Sequence, residues 1–171
     1  MSFAKIYTRG LLGLHAPLIE VEVHVSSGMP SLTIVGLPEA AVRESKDRVR
    51  SAILNSGFQF PTKRLTINLA PADLPKDGSR LDLPIALGIL VASGQLPENC
   101  TDNLEFIGEL ALDGQLRPVT GILSIAIACQ QAQHQLILPS PNAQEASQLP
   151  DFQVFAANHL QEVCAHLAQA E

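Results

Sequence analysis

Tryptophan is absent from these 171 residues, and aromatic residues make up only 4%. Any core must therefore be aliphatic, and hydrophobic residues at 46% are enough to build one. Long apolar runs are missing too. None reaches the roughly 18 residues that a membrane helix needs. The opening Met-Ser-Phe-Ala-Lys lacks the basic start and apolar stretch of a secretory leader. A cytoplasmic protein without membrane contact is expected. The three cysteines, Cys100, Cys129 and Cys164, are odd in number and show no CxxC spacing. That pattern argues against a disulfide framework and a structural zinc site, and it suits a reducing compartment. No GxxxxGK[ST] run occurs, and no GxGxxG follows a strand. Nucleotide binding by this chain alone is not expected.

Charge is present but uneven. The net value is −6, yet residues 1–64 carry +3 and residues 65–171 carry −9. A basic N-terminal surface can bind an anion, a nucleic acid or an acidic patch on another copy. Uneven solvated surface charge is the simpler reading, and both stay open.

The chain reads as one domain, 1–171, with no repeat, linker or low-complexity tract. Residues 3–8 and 18–25 read as strands. In the second, Val21, Val23 and Val25 alternate with Glu20, Glu22 and His24, the period of a half-buried strand. A short strand at 32–35 ends at Gly36. Leu37-Pro38 is then expected to open a helix over 39–56, with Val42, Val49 and Ile53 as its buried stripe and Glu39–Arg43 and Glu44–Arg48 as supporting pairs. Gly57 stops it. Residues 63–70 alternate as a strand. Residues 82–93 are apolar nearly all round, which predicts a buried helix. Strands over 104–110 and 115–118 flank Asp113-Gly114, a hairpin turn signal. A helix over 121–132, a strand over 135–138 and a helix–strand–helix ending over 143–149, 152–156 and 159–170 complete the chain. Strands and helices alternate irregularly, which points to a mixed α/β or α+β layer fold and away from a doubly wound nucleotide domain.

Three places attract chemistry. His159, Glu162, Cys164 and His166 are close in sequence. However, Leu160, Val163, Cys164 and Leu167 follow helical spacing, which puts the thiol in the core and the others on a solvated face; no metal site is expected there. Residues 42–50 pack four cations and two acids into nine positions, and Lys63 and Arg64 open the next strand. Arg43, Lys46, Arg48, Arg50, Lys63 and Arg64 are more than half of all the cations. Phosphate backbones are bound by such clusters, but a solvated helix face or a subunit interface has the same composition. The third place is the Pro-, Asp- and Gly-rich loop over 70–82. It feeds a buried helix, a usual position for a catalytic or anion site.

In that loop, Pro75-Lys76-Asp77-Gly78 resembles the active-site loop of Lon-type proteases. Gly108-Glu109-Leu110 through Thr120-Gly121 resembles the second Lon segment, in the same order and spacing. The resemblance implies a Ser–Lys dyad whose two positions are here Arg80 and Leu123, so no catalysis is expected. Ser79 is one position off. Over nearly the whole chain, residues 4–13, Gly36-Leu37-Pro38, 42–53, Ile67-Asn68-Leu69-Ala70-Pro71-Ala72-Asp73 and Gly108-Glu109-Leu110 resemble the N-terminal region of the ComM/YifB family. Those are bacterial proteins with a Lon-like domain and an AAA+ module related to magnesium-chelatase ATPase subunits.

That resemblance implies a mixed sheet backed by helices, as in Lon and in the second domain of a small-subunit ribosomal protein. It implies a ring, hexameric in the full protein, with ATP and magnesium held by the AAA+ module and no cofactor here. It further implies DNA handling linked to branch migration, competence and natural transformation. In that reading the six cations meet phosphates, and Lys76 and Arg80 line the former cleft. The alternative is an oligomerisation scaffold in which the basic surface of one copy meets the acidic half of the next. A degenerate Lon-type hydrolase is the residual reading.

Overall fold

The computed structural model describes residues 2–76 and 78–169. Its frame is a seven-stranded mixed sheet: β1 (Phe3–Arg9), β2 (Leu18–Ser26), β3 (Ser31–Val35), β4 (Arg64–Ala70), β5 (Leu104–Phe106), β8 (Gln135–Pro139) and β9 (Val154–Ala157). The order is β3-β4-β2-β1-β5-β8-β9, and a separate pair, β6 (Glu109–Leu110) and β7 (Leu116–Arg117), forms a small hairpin. β2 runs antiparallel to both β1 and β4, whereas β3–β4, β1–β5, β5–β8 and β8–β9 are parallel. The mixed sheet backed by helices is thus the expected fold.

The period-2 pattern decides which face is covered. Val21, Val23 and Val25 of β2 and Leu65, Ile67 and Leu69 of β4 are all buried, and their alternate neighbours are exposed or half-buried. Two helices cover this face: α2 (Ser45–Asn55), which follows a single turn α1 (Ala40–Arg43), and α3 (Asp82–Ala92). Every residue of α3 is buried. Each of its leucines and isoleucines contributes about 2 kcal/mol by leaving water. Gly88 lets α3 lie close on β2, since a Cβ there would stand 2.5 Å from Val23 Cγ2. β8 is covered on both faces. Leu136 and Leu138 pack with Ile122, Ile125 and Ala126 of α4 (Ile122–Gln131), while Ile137 joins the cluster holding Leu160, Val163 and Leu167 of α6 (Leu160–Ala168). A short α5 (Ala143–Ala146) follows a 3-10 turn at Ser140–Asn142.

Most elements shift by a residue or two at their ends, the strand expected over 152–156 running over Val154–Ala157, and larger departures occur as follows. Pro38 does not open the helix. Leu37 takes φ 58°, and Pro38 pairs with Lys76 through bonds from Glu39 N to Lys76 O (3.0 Å) and from Lys76 N to Leu37 O (3.2 Å). The helix expected over 39–56 begins at Ala40 and is interrupted at Glu44. The strand expected over 104–110 divides because Gly108 bonds to the loop before α3, donating to Arg80 O and accepting from Leu83 N. The helix expected over 143–149 ends at Ala146. The end assigned to the last helix, Ala170, lies outside the described residues, as does Asp77 of the Pro75–Gly78 motif.

All three cysteines are buried and unpaired with one another. Burial pushes the Cys164 thiol up to about 12 and raises the Cys129 thiol further, so both are inert side chains of the core. Among the described residues, no helix is long and apolar enough to cross a membrane.

The two halves of the sheet meet at β1 and β5, which share one registered pair, Tyr7 with Glu105. An ion pair supplements that short seam. Arg9 donates from Nε (2.8 Å) and a terminal nitrogen (3.0 Å) to the fully buried Glu105 carboxylate, and His134 Nδ1 lies 2.8 Å from the same group. The His134 ring stacks on Tyr7.

Candidate functional site

The loop after β4 and the segment before α4 come together at one end of the sheet. Ser79 Oγ donates to Glu109 Oε1, and Glu109 Oε2 lies 3.8 Å from Arg117 Nε. The Arg80 guanidinium reaches Thr120, donating to its carbonyl (2.9 Å) and its hydroxyl (3.2 Å). Leu123 sits in the first turn of α4, where its N–H is 3.3 Å from Glu145 Oε2. The two positions that the Lon resemblance gives to a Ser–Lys dyad in the former cleft are thus Arg80, bonded to Thr120, and Leu123, three residues further along the chain from Thr120. They present a guanidinium and an aliphatic side chain, neither of which can accept a proton from a nucleophile. Ser79 faces a carboxylate, not a lysine.

Lys76 does not line that cleft as a free cation. It is 1% exposed, and its ammonium donates to Pro71 O. Burial pulls it below the usual lysine range, with Asp73 acting the other way. The sequence reading had Lys76 lining the former cleft; the pairing of its backbone with Pro38 draws it inward.

The helix cations divide in the same manner. Arg48 is the internal one. Its Nε donates to Asp82 Oδ2 (2.7 Å), and a terminal nitrogen reaches Asp82 Oδ1 (3.2 Å) and Ala41 O (2.9 Å). Asp82 is fully buried at the start of α3 and also accepts from Ser45 Oγ (2.5 Å) and Leu110 N (3.0 Å). Burial pushes the Asp82 carboxyl above the usual carboxylate range, while Arg48, Ser45 and Leu110 act against that rise. The bond to Asp82 in turn holds Arg48 charged. This hub ties α2, α3 and β6 together. It removes Arg48 from the set available to phosphate, because its fork is spent inside. The nearby Glu44 is 3.7 Å away, so that expected pair forms, whereas among the described residues no ion pair joins Glu39 to Arg43.

Lys46, Arg50 and Lys63 are brought together. They line a groove of about 260 Å³ between α2, the start of β3 and the loop over 58–63, with Leu32, Leu54 and Phe60 as apolar lining. The Arg50 guanidinium lies over the Phe60 ring, 5.3 Å from its centre. Arg64 is exposed and follows Lys63, but alternation along β4 turns it to the face opposite α2. Arg43 is exposed at the end of α1. The side chains of the His159–His166 group go to separate places. His159 caps α6 by accepting from Gln161 N (3.0 Å), His166 stacks on Phe155, and Cys164 is buried. No cluster suited to a metal ion occurs among the described residues.

Sequence reasoning missed the Asp82 hub and the place of Phe60. A lone carboxylate beginning an all-apolar helix was a signal for the first, since a buried charge demands partners. Phe60 carried no such signal. Aromatic residues are scarce, yet one ring stands beside the three cations of the groove.

Comparisons with known proteins give the family. The family described as subunit ChlI of Mg-chelatase matches residues 21–142. The chain is similar to the uncharacterized protein YifB of Salmonella typhimurium, 53% identical over 167 residues, which covers 98% of this chain and 33% of that protein. It is likewise similar to competence protein ComM of Haemophilus influenzae, 50% identical over 167 residues with the same coverage. A Lon protease of Chloroflexus aurantiacus is 30% identical over 142 residues, 78% of this chain and 17% of that protein. The chain thus spans about a third of the length of the YifB and ComM relatives.

Proposed function

This chain belongs to the ComM/YifB family of magnesium-chelatase-like proteins, and from that membership we propose that it is a non-catalytic Lon-like N-terminal domain that handles DNA and supports ring assembly of a larger AAA+ ATPase. The observation that carries the DNA reading is the gathering of Lys46, Arg50 and Lys63 along one groove. Like-charged side chains held together cost free energy unless an anion meets them. The competence named for the ComM relative suits a role in recombination of incoming strands. ATP, magnesium and further copies of the protein belong, in this proposal, to the remaining two thirds of the ATPase.

Fluorescence anisotropy with labelled single-stranded and forked DNA across a salt series tests the reading. Binding is expected, and it should weaken steeply as salt rises, because cations that neutralise phosphates release counterions. Absence of binding at low salt would refute DNA contact by this domain.

The lack of catalysis rests on Arg80 and Leu123 standing at the two dyad positions. Turnover of a fluorogenic peptide is expected to stay at background and to be unchanged in Ser79→Ala. A rate that disappears in that variant would restore the cleft as a working hydrolase site.

A further inference from the structure

We infer that the loop over 58–63 is the wall of a single-stranded nucleic-acid site, with phosphates along the Lys46–Arg50–Lys63 groove and an unpaired base on the Phe60–Arg50 stack. The inference rests on the DNA reading above and gives it a location and a strand type.

The loop separates two recesses. On one side lies the basic groove, in which Asp47 is the acid among the lining residues. On the other lies a recess of about 710 Å³ lined by Phe58, Gln59, Phe60, Ser93 and Gln95, with Lys63 at its rim. Phe60, Pro61, Thr62 and Lys63 line both. One side therefore offers charge and the other offers rings and neutral hydrogen-bonding groups. That division matches a nucleotide, whose phosphate is charged and whose base is flat and polar at its edge.

The wall is rigid. Gln95 Nε2 donates to Gln59 O (2.7 Å), and Gln59 N donates to Gln95 Oε1 (2.9 Å), so one amide side chain clamps the loop as a neighbouring strand would. The Arg50 guanidinium lies over the Phe60 ring. A preformed stacking surface avoids the ordering cost that a mobile loop would impose on binding. Duplex DNA keeps its bases stacked inside and has no use for the second recess. An acidic peptide would engage the cations and leave the ring idle.

The test is anisotropy of a labelled oligo-dT with the chain and three variants. Binding is expected with a log–log salt slope of about −2, since three phosphates at about 0.7 each are neutralised. Lys46→Ala combined with Lys63→Ala should shrink that slope by about 1.4. Phe60→Leu keeps the apolar contact but removes the ring; it should weaken binding roughly tenfold with the slope unchanged. Arg50→Lys keeps the charge but loses the plane, and should weaken binding in the same sense. It provides the same readout from a surface position, should Phe60→Leu disturb packing. Binding that persists unaltered in all variants would overturn this site and leave the DNA reading standing. No binding of any DNA would overturn both. Equal affinity for a poly-glutamate peptide, with no response to Phe60→Leu, would overturn the nucleic-acid assignment.

Discussion

Asp82→Ala is expected to destabilise the fold by about 3–5 kcal/mol, the range for removing one partner of a buried ion pair. The carboxylate is fully buried and takes bonds from Arg48, Ser45 and Leu110. Its loss leaves a half-buried guanidinium, a buried hydroxyl and a buried N–H without their acceptor. For a chain of this length the melting temperature should fall by on the order of 10 °C. The double variant Asp82→Leu with Arg48→Met removes both charges and should recover much of the loss. Urea unfolding of the parent, each single variant and the double variant provides the comparison. A single-variant loss under about 1 kcal/mol would show that the hub is not an anchor.

Gly36→Ala should be comparably damaging for a different reason. Gly36 follows β3 with φ 105°, and a Cβ there would stand 2.2 Å from Leu69 O and 2.9 Å from Leu69 C. Leu69 lies near the end of β4, but it is paired with Val21 of β2, so its backbone cannot retreat cheaply. Left-handed strain adds about 1–3 kcal/mol to that overlap. The total expected loss exceeds about 3 kcal/mol, and the chain end of β3 must lift from β4. Gly57→Ala is the control: it carries the same strain at φ 86° but meets nothing within 4 Å. Denaturant midpoints should separate the two by several kcal/mol in stability. Equal losses would mean that backbone strain, not the approach of Leu69, sets the demand for glycine.

Legibility followed physical range. The strands β2 and β4 and the helix α3 were readable because their patterns are set by which face meets the core. The Lon-like character was readable by resemblance, because Pro75-Lys76-Asp77-Gly78 and Gly108-Glu109-Leu110 stand in motifs with fixed spacing. What failed depended on contacts far apart in sequence. Arg48 and Lys76 looked like accessible cations because nothing local in the sequence names Asp82 as the partner of the first or Pro38 as the backbone partner of the second. The break at Gly108 depends on Arg80 and Leu83. Phe60 becomes interesting only when α2 brings Arg50 over its ring.

The β1–β5 seam has a mechanical meaning. Strands β3, β4, β2 and β1 form one block, and β5, β8 and β9 another, joined by one registered residue pair and the Arg9–Glu105–His134 contact. Backbone ladders resist sliding along their whole length, whereas a single buried ion pair resists it at one point. Twisting stress on the molecule will therefore concentrate there. A second link between the blocks is α3, which packs on β1 and β2 and whose Leu83 N–H bonds Gly108 O just beyond β5, in a core that also holds Phe106 and Ile137. Such a seam is a torsion joint between two stiffer plates.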